Sequence, residues 1–112
     1  MEQTYLIGNL LYEPEMRFTI NGKAVCSFKL KDSKGEVHRI TTWEELAEAC
    51  NQQLEIGNRI SVKGKARIRE YTNFEGKKQY YPDFTAYNVY LLAPDDGNTV
   101  KILKEIENNA TG

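Results

Sequence analysis

Cysteine, histidine and tryptophan are all scarce in this chain of 112 residues: Cys26, Cys50, His38 and Trp43 are all there is of the three. Cys26 and Cys50 are too far apart for a CxxC redox pair, and one histidine cannot complete a structural zinc site, so no metal or other cofactor is expected. Both cysteines are expected as reduced, buried, small apolar residues. No run of about 18 apolar residues is present to cross a membrane, and no cationic and apolar leader opens the chain, which points to a soluble, cytoplasmic protein. Excess charge is missing too: 15 Lys and Arg against 16 Asp and Glu leave a net charge of −1. That excludes a globally basic surface but not a locally basic one, because recognition depends on how charge is spread over a face. The motifs GxxxxGK[ST], HExxH and GxSxG are absent. Glu44, Glu45 and Glu48 fall at the start and outer face of one expected helix rather than converging in a pocket, so an enzyme is not expected.

What is present is alternation. TYLIGNL at 4–10 is a first strand candidate, and turn signals follow at Pro14 and at Asn21–Gly22. From Ala24 a second strand sets Ala24, Cys26, Phe28 and Leu30 against Val25, Ser27, Lys29 and Lys31. A short DSKGE connection leads to a third strand, VHRITTW, in which His38, Ile40 and Thr42 oppose Val37, Arg39, Thr41 and Trp43. Thr42 with Glu45 matches a capping box, and Leu46, Ala49, Cys50 and Leu54 recur at helical spacing before Gly57. Next come a basic strand and a polar turn, TNFEGKKQ. The fifth strand, YYPDFTAYNVYLL, contains Pro82, which suggests an edge or a strand entry. Five strands with one helix between the third and fourth is the order of an all-β, five-stranded OB-fold barrel, here placed at residues 1–94. In the extension at 95–112, Val100, Leu103 and Ile106 have the spacing of a short amphipathic helix.

The basic strand carries the functional signal. In SVKGKARIREY, Lys63, Lys65, Arg67, Arg69 and Tyr71 share one phase, opposite Val62, Gly64, Ala66 and Ile68. Lys29 and Lys31 on the second strand and Arg39 and Trp43 on the third share a corresponding polar phase. Cations beside exposed rings suit unpaired nucleic acid, charges tracking phosphates while rings stack on bases. A solvated sheet face is the bland alternative. Trp43 on spacing alone reads equally as a core anchor, and its phase with Arg39 tips it outward. Phe74, Tyr80 and Tyr81 either extend a stacking surface or pack the base of their hairpin. His38, on the face of Ile40, reads as a buried or interfacial residue with one hydrogen bond.

LIGNL at 6–10, EPEMRF at 13–18, NGKAV at 21–25, HRI at 38–40, ELAE at 45–48 and GNRISVKGKARIREYTNFEGKKQY at 57–80 occur in one order. Together they resemble the successive motifs of bacterial single-stranded DNA-binding proteins, over about residues 3–92. The resemblance implies sequence-independent binding of single-stranded DNA in replication, recombination or repair, association with the nucleoid, and a homo-oligomer, tetramer favoured over dimer. It places base-stacking aromatics at Trp43 and Tyr71, a basic contact at Arg39, a DNA-facing strand at Lys65, Arg67 and Arg69, and a subunit interface at His38 and Tyr5.

The departures from the family are specific. Val37 stands where the family usually has a stacking tryptophan, and DSKGE is shorter than the family's flexible finger, which carries a further aromatic. Fewer stacked bases imply weaker binding or a smaller site. The family's acidic tail tip is not found, so recruitment of repair enzymes through it is not expected, the alternative being that the chain is a fragment whose tail was removed. Single-stranded RNA remains a second ligand that the pattern does not separate from DNA. The competing reading is a diverged OB-fold protein-interaction module, a primosome or plasmid or phage replication accessory with little DNA binding.

Overall fold

A computed structural model describes residues 4–93 and the backbone of residues 99–104. Among the described residues the elements run β1 (Thr4–Leu10), β2 (Glu15–Phe18), β3 (Ala24–Lys31), β4 (Val37–Trp43), α1 (Glu44–Gln53), β5 (Arg59–Thr72), β6 (Lys78–Leu92) and β7 (Thr99–Lys104). Five of these strands close into a ring. β1 pairs antiparallel with β5, β5 with β6, and β3 with β4, while β4 runs parallel to β6 at Ile40↔Phe84 and Thr41↔Thr85. β1 then returns to β3 at Asn9↔Lys31 and Leu10↔Leu30, which completes the OB-fold barrel with α1 between its third and fourth strands.

Two glycines make the closure sterically feasible. At Gly8, where β1 passes from β5 towards β3, a Cβ would stand 2.7 Å from the Lys31 carbonyl oxygen. At Gly64 a Cβ would collide with the Thr85 carbonyl and lie 2.8 Å from the Ala86 Cα. The β5–β6 register slips there: Lys63 pairs with Asn88 but Gly64 with Ala86, leaving Tyr87 as the extra residue of a bulge. Such a bulge sharpens the local twist, and beyond it the two strands continue as a long hairpin.

The inward phase of each strand builds the core. Cys26, Phe28 and Leu30 of β3, Ile40 of β4, Ile60 and Val62 of β5, and Phe84 and Val89 of β6 are buried together. α1 adds Leu46, Ala47 and Cys50. Each large aliphatic or aromatic side chain so buried contributes about 1.5–3 kcal/mol. Both cysteines are free and buried, and burial pushes the Cys26 thiol up to about 11 and the Cys50 thiol to about 12.

The three hairpins that follow β2, β3 and β5 turn by one device. The side-chain oxygen of Thr19, Asp32 or Asn73 accepts the amide four residues on, and Gly22, Gly35 or Gly76 takes the left-handed position. Pro82 pairs with Ile68 on β5 in a stretch of β6 that β4 does not reach, where its missing N–H disrupts no second ladder.

Three expectations are corrected. Residues 15–18 form β2, paired along β3 from Glu15↔Ser27 to Phe18↔Ala24; the turn signals at Pro14 and Asn21–Gly22 are its brackets. Residues 99–104, expected to be helical, form β7 on the edge of β6, from Asn88↔Lys104 to Leu92↔Thr99. An open edge at that end of β6 and the β-branched Thr99, Val100 and Ile102 favour a strand over an isolated turn or two of helix. Ile106 lies outside the described residues. The capping box does not form: Thr42 is buried and its hydroxyl donates to the Cys26 carbonyl at 2.9 Å, so the N-cap is Trp43, without a side-chain cap. Glu44 follows at φ 58°, a left-handed conformation that turns the chain sharply from strand into helix.

Candidate nucleic-acid interface

The outward phase of β3, β4, β6 and β5 forms one continuous surface, with β6 lying between β4 and β5. Register sets its rows. Val25 faces Trp43, Ser27 faces Thr41 and Lys29 faces Arg39; Thr41 faces Thr85, which faces Lys65; Asp83 faces Arg67 and Tyr81 faces Arg69. Cations of β3, β4 and β5 and aromatic residues of β4 and β6 are therefore brought side by side by pairing alone.

At the centre is a cleft of about 330 Å³ lined by Arg17, Phe18, Val25, Arg39, Thr41, Trp43, Arg69, Tyr81 and Asp83. Asp83 is buried in its wall. Its oxygens each accept the Thr41 hydroxyl at 3.1 Å, one accepts Arg69 Nε at 2.8 Å, and Arg39 Nε stands 3.9 Å from the other. Two further hollows adjoin it, one of about 580 Å³ that includes Val37, His38, Lys29 and Tyr81, and one of about 210 Å³ that includes Tyr12, Ser27 and Lys29. Arg39 lines all three, so they adjoin one another in a path around its side chain; the second also takes in Leu6, Ala66 and Phe84, which belong to the inward phase of their strands.

The expected residues fall into groups. Trp43, Arg39 and Arg69 meet in the central cleft. Lys29 lies along the path, its Nζ 5.9 Å from the centre of the Tyr12 ring. Arg67 is held on the same surface by Thr85 Oγ1 and the Tyr87 hydroxyl, each at 3.1 Å, and Lys65 is half-buried beside Thr85. Tyr71 is 51% exposed and meets Tyr81 edge to face. Phe74, at the tip of the β5–β6 hairpin, and Tyr80 are exposed, so neither packs the base of that hairpin.

Others lie elsewhere. Lys63 stands over the Tyr5 ring of β1 at 5.7 Å, and Tyr5 in turn lies 6.3 Å from Tyr90, away from the cleft. Lys31 is exposed two residues beyond Lys29, beside Asn9 and Val37. His38 has its one hydrogen bond, from Nε2 to Asp32 at 2.9 Å. That bond, with the Glu36 amide, holds the Asp32 carboxyl below its usual range. Asp32, Glu36 and His38 bring three potential ligand atoms within 4.8 Å, but Asp32 is already engaged by His38 and by the Lys34 and Glu36 amides.

Arg17, Phe18 and Asp83 were not among the residues expected at the site, and for Tyr81 a stacking surface was one of two alternatives. Tyr81 and Asp83 share a period-two phase with Thr85, and that phase was the available signal. Arg17 and Phe18 were hidden by reading their strand as a turn.

A surface of this kind holds anions by charge and flat rings by stacking. Comparison with known proteins agrees with that chemistry. The model of the single-strand binding protein family matches residues 1–92. The chain is 32% identical over 109 residues to single-stranded DNA-binding protein 1 of Chlorobaculum tepidum, covering 86% of this chain and 67% of that protein. It is 29% identical over 111 residues to the single-stranded DNA-binding protein of Neisseria meningitidis, covering 88% and 64%. With single-stranded DNA-binding protein A of Bacillus subtilis the identity is 28% over 107 residues, covering 87% and 62%. The chain thus spans roughly two thirds of the length of these relatives.

Proposed function

The chain belongs to the single-strand binding protein family, and on that premise we propose that it binds single-stranded DNA without sequence preference along the path that Arg39 joins. Arg39, Arg69, Arg67, Lys65 and Lys29 hold phosphates, and Trp43, Tyr71 and Tyr81 receive bases. The observation that carries this reading is the convergence of three arginines, Arg17, Arg39 and Arg69, and three rings, Phe18, Trp43 and Tyr81, in one open cleft on the outer face of the barrel. Stacking is tolerant of sequence because every base offers a flat face, and phosphate contacts carry no sequence information. The protein acts by binding rather than by catalysis, in replication, recombination or repair, in company with the nucleoid. Family membership also supports assembly of identical copies, a tetramer in preference to a dimer, with His38 and Tyr5 at a subunit contact; sedimentation analysis tests it.

Trp43 is the only tryptophan, so its fluorescence reports on the cleft directly. Titration with oligo-dT is expected to quench it, less so as salt rises, because bound cations release counterions from the strand. Duplex DNA serves as the control and oligo-rU measures any preference against RNA, whose phosphates and bases satisfy the same contacts. Absence of binding by fluorescence and by mobility shift would overturn the proposal in favour of a protein partner for this face.

A further inference from the structure

Asp83 is an anion in the wall of a cleft proposed to bind a polyanion. Its side chain is only 1% accessible, so it bears a desolvation cost that an apolar residue there would not. Long-range electrostatics also disfavours it, since a fixed negative charge opposes phosphate. Its partners account for its presence. The Thr41 hydroxyl fixes the carboxylate from β4, Arg69 reaches it from β5, and Arg39 approaches it from β4. β4 and β5 do not pair with each other; β6, which carries Asp83, runs between them. Asp83 therefore meets cations from both sides. Both arginines approach through Nε, and a guanidinium has five N–H donors, so donors on each remain for other acceptors.

We propose that Asp83 is a positioning residue that holds Arg39 and Arg69 as an ordered pair, so that their remaining donors meet the phosphates of a bound strand without first being immobilised. This rests on the single-stranded DNA reading. Side chains as long as arginine lose much rotamer freedom when a ligand orders them, and a partner that orders them beforehand removes that cost from binding. The consequence runs against simple charge arithmetic. Removing an acidic charge from a phosphate-binding face should tighten binding, whereas releasing the arginines should weaken it.

The test compares the full chain with Asp83→Asn, Arg69→Met and the double variant, titrated with oligo-dT over a range of salt, with thermal melts alongside. Asp83→Asn is expected to weaken binding about tenfold, as removal of a charge-assisted hydrogen bond does. Its plot of log affinity against log salt should flatten by about 0.7 for each phosphate that is no longer neutralised. In the Arg69→Met background the same change is expected to cost clearly less, because the arginine that Asp83 hydrogen-bonds directly is Arg69. An equal cost in both backgrounds would assign Asp83 to the fold alone and overturn the proposal, as would unchanged or tighter binding by Asp83→Asn. Should that variant not fold, Thr41→Val, which frees the carboxylate from its hydroxyl anchor, is expected to weaken binding several-fold; unchanged binding by a folded Thr41→Val would count as refutation. If the unaltered protein does not bind oligo-dT, the functional reading itself falls, an outcome distinct from all of these.

Discussion

The rings of Tyr71 and Tyr81 meet edge to face, 5.8 Å between centroids and 62° between planes, although neither is the other's register partner: Tyr71 pairs with Gln79 and Tyr81 with Arg69. The contact is diagonal across β5 and β6, and it carries the aromatic surface from the cleft out along the hairpin. Tyr71→Ala is therefore expected to weaken oligo-dT binding by about 1–3 kcal/mol, the value of one stacked base. The melting temperature should change little, since Tyr71 is half exposed. A large fall in melting temperature with unchanged affinity would make it a packing residue instead.

Val37 lies on the wall of the second hollow and is 52% exposed. A flat ring in its place has room to project and a path of cations beside it. Val37→Trp is expected to tighten binding, by up to the same 1–3 kcal/mol if a further base stacks there. It would also lengthen the shortest oligonucleotide that saturates the protein. Titration with dT oligomers of increasing length reads both effects.

Gly64 is irreplaceable for a steric reason rather than a conformational one. Its Cβ would occupy the space of the Thr85 carbonyl at the bulge, and backbone on both sides must move to admit it. Gly64→Ala is expected to cost about 3 kcal/mol or more, as overpacking against main chain does. Urea denaturation followed by circular dichroism measures it. A cost under about 1 kcal/mol would show that the bulge relaxes freely.

Alkaline pH should separate the two buried thiols from the rest of the molecule. Burial raises Cys26 to about 11 and Cys50 to about 12, the latter helped by the charge of Cys26. The folded chain thus keeps protons that the unfolded chain releases near its ordinary thiol pKa. Stability is then fully present below about pH 8 and falls as pH rises through 9 towards 11–12, by about 1 kcal/mol per pH unit for each thiol. Urea midpoints at pH 8 and pH 10.5, compared with those of a Cys26→Ala/Cys50→Ala variant, isolate the effect. The variant is expected to lose less on going to high pH, and equal losses would refute the assignment.

Period-two alternation placed Arg39 and Trp43 on the outer face because the residues beside them, Ile40 and Thr42, are buried, and it carried Arg69 there only by phase with Lys63 beside the buried Val62, since Ile68 next to Arg69 is itself exposed. Alternation says which side of its own strand a residue takes and nothing about which strands become neighbours. The role of Asp83 depends on β6 entering between β4 and β5, one contact of it parallel, and a single carboxylate inside YYPDFTAY gives no hint of that. The uniform row of cations on β5 is divided by the twist at the Tyr87 bulge, which leaves Lys63 with Tyr5 while Arg67 and Arg69 join β6 side chains. β7 was missed because the spacing of Val100, Leu103 and Ile106 fits a helix, while the strand depends on an open edge that only the assembled sheet supplies.

The return of β1 to both β5 and β3 also sets a timescale. Thr4 pairs with Gly64, sixty residues along the chain, whereas β3–β4 and β5–β6 are local hairpins. The hairpins can form early, in about microseconds, but the ring cannot close until a long intervening loop has lost its freedom. Folding dominated by such distant partners proceeds in about milliseconds to seconds. On the ribosome Thr4–Gly8 of the first strand, whose partners all lie on β5, must wait unpaired until β5 has emerged, while Asn9 and Leu10 can meet β3 sooner.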